Sequence, residues 1–457
     1  MHDRSTDVQD RSVLVTFALG LGTFLTLFDV TAVVVALPGI AKNLELSIGG
    51  AAWVIDAYSL AFTGALLVSG ALADRFGRRL SMLAGNAVFL VASIACGAAV
   101  DGPMLLAARA LQGVGAAFMV TGAIALVAGA FPNLDQRTRA FGAIGVVSGV
   151  AMALGPTLGG LLASWFGWRW IFYANIPFCL MLALAVPRLV AETRDPNGRP
   201  LDPLGVALLT ISLGLAIDAL LRRDGSPALR FSLLAVSATM ATLFVLQQWR
   251  SAHPVLDPRV FATTPMVAAG ALLLAIQFGY WAVLVYLPLF LSAGLFMAME
   301  VAGMALLAAT LPMLVVPLTG GRLVTHWGWR RFFVIAFGII AVGDALLVFA
   351  ALANDQLTRL AAAIAGMLAI GVGAAMANPQ MSSVVLALSP STQAGMASAV
   401  IMIVRQAGFA ISIAALGASL ATTDMASAFV APFLVATSVA LFAMIAALIL
   451  PAKSEPN

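Results

Sequence analysis

Three ionisable residues fall inside stretches that are otherwise apolar: Asp29, Asp56 and Arg109. A charge at the centre of a bilayer costs about 2.5–3.5 kcal/mol or more, so each needs a reason to be there. At 1.5 Å per helical residue, Asp29 stands about 13 Å from the end of its stretch, Asp56 about 8 Å and Arg109 about 9 Å. The three share one layer. Burial favours the neutral form of a carboxylic acid, and a neighbouring guanidinium favours the anion. A carboxyl held between these influences can load and release a proton, the chemistry that proton coupling needs. The plainer reading of Asp29 is a helix-packing ion pair with Arg109. That of Asp56 is an interfacial residue reaching for water. Asp344 and Arg405 also fall near mid-membrane and are expected to pair as a structural salt bridge.

A second constellation lies in a loop. Gly70, Asp74, Arg75, Gly77, Arg78 and Arg79 stand together in GALADRFGRR. The glycines allow a tight turn, and the carboxylate can accept from an arginine fork or a helix N-terminus. Such a cluster can latch two helical bundles and release them; its simpler reading is a positive anchor. A third run, ALGPTLGG, holds Gly155, Pro156, Gly159 and Gly160. Small residues let another helix approach, and proline bends its own helix, which suits a moving contact.

The elements that position these residues are membrane spans. The chain has 457 residues, 62% apolar and only 10% charged. Its mean hydropathy is +1.03. A soluble domain carries about 25% charge, so soluble, disordered and nucleic-acid-binding classes are excluded. Gly, Pro and charge divide the chain into fourteen apolar segments: 13–38, 51–72, 80–100, 103–131, 139–163, 169–187, 204–221, 229–249, 266–291, 300–320, 332–353, 358–388, 395–420 and 428–450. Pro379 predicts a kink in the twelfth. Cys96 and Cys179 both lie in apolar runs and read as buried thiols. With the N-terminus inside, sixteen Arg and Lys fall on the inner side and six on the outer, Arg109 and Arg405 lying within spans. That bias places both termini in the cytoplasm.

The chain also repeats itself. Leu37-Pro38 returns as Leu287-Pro288, GALADRFGRR as GRLVTHWGWR from Gly321 to Arg330, and GVGAA at Gly113 as GVGAA at Gly371. The offsets of 250, 251 and 258 residues keep their order. Two six-span halves follow, with segments 204–221 and 229–249 inserted between them. Paired halves suit a transporter, because two bundles can rock about a central site.

Other runs fall in the same order: LFDVTAVVVALP from Leu27, WVIDAYSL from Trp53, RALQGVGAA from Arg109, WRWIFYANIP from Trp168 and RQAG from Arg405. With the loop and ALGPTLGG, they resemble the motifs of the major facilitator superfamily, and within it the fourteen-helix drug:proton antiporter branch. The resemblance implies an all-α integral membrane protein with two pseudo-symmetric six-helix bundles, 13–190 and 266–450. A two-helix linker, 191–265, joins them, and short cytoplasmic termini, 1–12 and 451–457, flank them. It implies that Asp29, Asp56 and Arg109 serve proton coupling, and that ALGPTLGG marks exporters. It also implies a substrate cavity drawn from Phe24, Phe28, Tyr58, Phe62, Met119, Gln277, Tyr280, Trp281, Asn378 and Gln380. The second loop copy has Thr325 where the first has Asp74, so only the first half keeps the whole latch.

The expected function is proton-coupled export of drugs or amphiphilic toxic compounds by alternating access. The alternative is a proton-coupled importer or facilitator of a small metabolite, against which ALGPTLGG argues. No enzyme is expected: His2, His253 and His326 form no HExxH, and no GxSxG occurs. The expected partners are a small amphiphile, protons and the lipid bilayer of a bacterial inner membrane. No nucleic acid, metal or cofactor is expected, the proton gradient being the drive, and the chain is expected to be monomeric.

Overall fold

The computed structural model describes residues 2–131, 134–194, 202–222, 226–251, 263–389, 394–420 and 427–451. Among them, eleven helices are long and apolar enough to cross a membrane, and a pair bent by 45°, Gly49–Leu66 and Val68–Phe76, makes a twelfth. Two shorter apolar helices, Glu300–Val315 and Ile403–Ser419, fill the remaining predicted segments. A count of fourteen rests on reading these two as spans.

The first half comprises α1 (His2–Asn43), α2 (Ile48–Phe76), α3 (Arg78–Gly97), α4 (Gly102–Ala130), α5 (Leu134–Phe166), α6 (Arg169–Tyr173) and α7 (Asn175–Leu189). A hairpin follows, α8 (Pro203–Leu221) and α9 (Pro227–Arg250). The second half holds α10 (Thr264–Ile276), α11 (Val283–Leu289), α12 (Met299–Ala305), α13 (Leu307–Thr310) and α14 (Pro312–Val315). It closes with α15 (Pro317–Leu352), α16 (Gln356–Leu388), α17 (Ala394–Ser419) and α18 (Val430–Ala447). Polar caps begin several of them: Asp101 accepts from Met104 N at 2.8 Å, Ser47 from Gly50 N at 3.1 Å and Asp202 from Gly205 N at 2.9 Å.

Two elements depart from the predicted segments, and a third keeps its bounds. α1 begins at His2, not Val13, because residues 2–12 contain no proline or glycine to stop a helix. The ninth segment is helical but interrupted by two π turns, Gln277–Ala282 and Phe290–Gly294. α16 continues as one helix through Pro379.

The repeat is written in the contacts. Gly77 takes φ +123° at the α2–α3 turn, and 251 residues on Gly328 takes φ +71° inside α15. Both are backbone conformations that a side chain opposes. Arg79 donates to the Val190 carbonyl at 3.1 Å, beyond α7. Its counterpart Arg330 donates to the Leu450 carbonyl at 3.2 Å, beyond α18. Gly113 presses against the Tyr58 carbonyl, and Gly371 presses against that of Ala309. The two halves therefore pack alike at these positions, around glycines that let backbones touch.

The bundle has two ends, named here for Lys42 and for Arg78. Toward the Lys42 end, one buried core runs from α1 and α2 into the second half, including Val33, Ile40, Ile55, Leu284 and Phe290. Toward the Arg78 end, Leu19, Met82, Val127 and Val186 belong to a separate core of the first half alone. Thr157 of α5 donates to the Gly303 carbonyl of α12 at 3.2 Å. The halves are thus joined by a shared core and a hydrogen bond toward the Lys42 end.

Candidate functional site

A buried polar cluster assembles around Asp29. α1 supplies the carboxylate, α4 supplies Arg109 and Gln112 on one face, α3 supplies Ser93, and Asn175 opens α7. All five side chains are fully buried. Arg109 Nη1 donates to Asp29 Oδ2 and to Gln112 Oε1, each at 2.5 Å. Asp29 Oδ1 accepts from Gln112 Nε2 at 2.9 Å and from Asn175 Nδ2 at 2.8 Å. Gln112 Nε2 also donates to Ser93 Oγ at 2.9 Å. Arg109 Nε donates to the Val54 carbonyl of α2 at 2.9 Å. The donors around the carboxylate compensate the cost of burying it.

Tyr58 joins this cluster to a cavity. The Arg109 guanidinium lies 4.5 Å from the centre of its ring. Tyr58 stacks on Phe62, and both rings line a cavity of about 590 Å³ between the halves. That volume suits a drug-sized molecule. Apolar side chains such as Leu27, Val30, Met152, Trp281, Met313 and Phe409 dominate its wall. Among the described residues, Arg405 is the charged side chain that lines it, and no carboxylate does. Arg405 Nη2 donates to the Asn378 carbonyl at 3.0 Å and to Asn378 Oδ1.

Of the residues expected in the cavity, Tyr58, Phe62, Gln277, Trp281 and Asn378 line it. The others do not. Phe24 stacks with Phe28 and leans on Phe178, each with ring centres 5.7 Å apart, which turns both α1 rings toward internal packing. Met119 is fully buried in the first half's core. Tyr280 is buried and donates to the Ala309 carbonyl at 3.1 Å. Gln380 follows Pro379 on α16 but is not part of the wall.

Asp56 stands apart from the cluster, and one expected pairing fails. Asp56 is fully buried, and neither of its oxygens has a hydrogen-bond partner. It shares the depth of Asp29 and Arg109 but not their face. Asp344 likewise has both oxygens unpartnered, and Arg405 bonds to Asn378 in its place.

The loop cluster closes within its own half. Asp74 accepts from Arg78 Nε at 3.0 Å and from Nη2 at 2.9 Å. The carboxylate of Glu192, beyond α7, accepts from the backbone of Arg79 and of Leu80, each at 2.9 Å. It thereby caps α3. Arg75 is exposed and lies over Phe76 at 5.6 Å, and Gly70 sits near Thr121. In ALGPTLGG, Gly155 abuts Thr31, Gly159 abuts Ala32 of α1, and Pro156 and Gly160 face Gly303.

Sequence reasoning passed over Gln112, Asn175, Ser93 and Glu192. Gln112 stands three residues after Arg109 on one helical face, a signal that was available. Glu192 lies in a polar stretch that points nowhere in particular.

The sequence profile of the Major Facilitator Superfamily matches residues 19–277. The multidrug resistance protein Stp of Mycobacterium tuberculosis is 30% identical over 415 residues, 90% of this chain and 76% of that protein. The puromycin resistance protein pur8 of Streptomyces alboniger is 34% identical over 400 residues, 86% of this chain and 78% of that one. A crystal structure of the peptide transporter POT in complex with sulfate superposes with a TM-score of 0.71 at 17% identity, covering 94% of each chain, a likeness of fold. With its repeated halves, its glycine-set loops and its apolar spans, the chain belongs to the Major Facilitator Superfamily and is a multi-pass, all-helical membrane transporter, not an enzyme.

Proposed function

We propose that this chain is a proton-coupled exporter of amphiphilic compounds in a bacterial inner membrane, with the Arg78 end and both termini in the cytoplasm. One observation carries the reading: the Asp29–Arg109 cluster and the apolar cavity share a wall, Tyr58. A change at the carboxyl is therefore one side chain away from the substrate. Resistance proteins among the relatives support the direction of transport, as does the ALGPTLGG contact between α5 and α12.

In this orientation the cavity takes substrate from the cytoplasm or inner leaflet when the halves open at the Arg78 end. Protonation of Asp29 removes the anion that holds Arg109 Nη1 and the Gln112 and Asn175 amides. Arg109 also grips α2 through Val54, so its release loosens α2 from α4 and lets the halves rock. Asp56, buried and unpartnered on α2, receives or passes the proton. One charge moving through 100 mV supplies about 2.3 kcal/mol, enough for roughly a fifty-fold gradient per proton. A cavity whose described lining holds one guanidinium and no carboxylate suits neutral amphiphiles, or those ending in an acceptor or anionic group, over dications.

Energised inverted vesicles with a dye for interior acidity test the reading. Chloramphenicol (neutral), deoxycholate (anionic) and tetraphenylphosphonium (cationic) are added in turn, to wild type and to Asp29→Asn. Proton efflux evoked by the first two in wild type alone is the expected result. Silence toward all three, or equal responses in Asp29→Asn, would sink it.

A further inference from the structure

The repeat places a second carboxyl where the first half has its polar cluster. An offset of 250 residues takes Asp29 to Gly279, and 251 takes Ser93 to Asp344. An offset of 258 takes Arg109 to Met367 and Gln112 to Ile370. The geometry agrees with this arithmetic. Asp344 Oδ2 lies 3.5 Å from the position a Cβ on Gly279 would occupy, and Ala440 of α18 closes the same spot. The acid has moved from the first helix of the half to the third, yet it faces the same place. Its partners have not followed, since Met367 and Ile370 are both fully buried and apolar.

Asp344 is itself fully buried, with neither oxygen bonded. Among the described residues, no other charge faces it from the elements packed around it. α18 carries no ionisable side chain. α16 carries Arg359, which bonds to the carbonyls of Ala350 and Gly294. Within the π turn, Tyr280 spends its hydroxyl on Ala309. An isolated anion in such a place is far costlier than a neutral acid. The turn that covers Asp344 is Gln277–Ala282, whose Gln277 and Trp281 line the cavity while Gly279 faces the acid. One turn of π helix, a form that recurs at functional sites, thus separates Asp344 from the transport path.

We propose that Asp344 is a second proton-carrying carboxyl, the second half's counterpart of the Asp29 site, and that each transport cycle moves two protons, one per half. This rests on the reading of the chain as a proton-coupled exporter. In the conformation described, Asp344 holds its proton behind the π turn. Movement of that turn, as the halves rock, exposes the acid to the cavity and releases the proton.

The test uses purified protein in liposomes with a tenfold pH gradient and the voltage clamped at zero. Radiolabelled chloramphenicol is followed to its final gradient. Two protons per cycle support about a hundred-fold gradient, and one supports about tenfold. Wild type is expected near the first value and Asp344→Asn near the second. Asparagine copies the shape of the neutral acid, and a final gradient is blind to a variant that is merely slow. An Asp344→Asn protein that reaches the wild-type gradient overturns the proposal. Infrared spectroscopy of the same proteins gives a readout free of transport. Asp56→Asn serves as the background, because that acid is buried and unpartnered too; a protonated-carboxyl band at neutral pH that weakens when Asp344→Asn is added is expected, and a band that Asp344→Asn leaves unchanged overturns the proposal. If wild type moves no chloramphenicol, the exporter reading fails for that compound, and the band alone decides for or against Asp344.

Discussion

Arg109 and Asp29 meet at 2.5 Å with both side chains fully buried, and the same guanidinium holds Gln112, the backbone of α2 and the face of Tyr58. Removing one partner of such a pair strands the other and costs about 3–5 kcal/mol. Arg109→Ala is therefore expected to unfold at a markedly lower temperature and to transport nothing. Arg109→Lys should not rescue it, because an ammonium cannot reproduce the planar fork. The double variant Asp29→Asn, Arg109→Gln should regain much of the stability and none of the proton movement. Thermal unfolding and proton flux, measured together, check all three.

Gly77 stands at φ +123°, ψ +135°, and a Cβ there would lie 2.7 Å from the Glu192 carboxyl carbon. Gly77→Ala meets strain of about 1–3 kcal/mol and displaces the cap of α3. Glu192→Gln keeps the shape and weakens the cap. Transport rate is expected to fall in both, more in Gly77→Ala, with chloramphenicol affinity little changed. A rate–affinity split by single-turnover transport measures this. Loss of affinity equal to the loss of rate would argue for a general collapse instead.

The α5–α12 contact is a reporter of state. Cysteines at Thr157 and Gly303, whose groups now bond at 3.2 Å, should cross-link readily. The cross-linked protein should keep its cavity and lose transport, and a reductant should restore it. The native Cys96 and Cys179 are buried and should not interfere. Transport that survives complete cross-linking would show that these helices need not part.

Arg405 offers the cavity its charge, with Nη2 committed to Asn378. Arg405→Gln is expected to weaken binding of deoxycholate about tenfold or more, chloramphenicol less, and tetraphenylphosphonium not at all. A hydrogen bond to a charged group is worth about 1.5–3 kcal/mol, which sets that scale. Equilibrium binding to the purified protein gives the ratios. Equal losses for all three ligands would assign Arg405 to structure alone.

Depth was legible in the sequence and azimuth was not. Counting residues along a span set Asp29, Asp56 and Arg109 at one level, and two of the three do meet. Asp56 differs by rotation about α2, which depends on how α2 packs against α4 through Gly113. The same limit explains the failed pairing of Asp344 with Arg405. Gln112 and Asn175 escaped because a neutral amide in an apolar helix does not stand out as a charge does. The halves, by contrast, were legible down to single residues, since Gly77 and Gly328 both serve a backbone conformation that other residues resist.

The α8–α9 hairpin draws a last consequence from its place. Ser212 and Ser237 tie its helices together, and Gln247 and Gln248 reach Asp202 at its base. α8 lies against α2, with Leu221 at Gly49 and Thr210 at Gly64, and its Leu221 also reaches Gly417 of α17. It therefore plugs the lipid-facing seam where the first half meets the second. The hairpin screens that seam from a molecule approaching sideways through the bilayer.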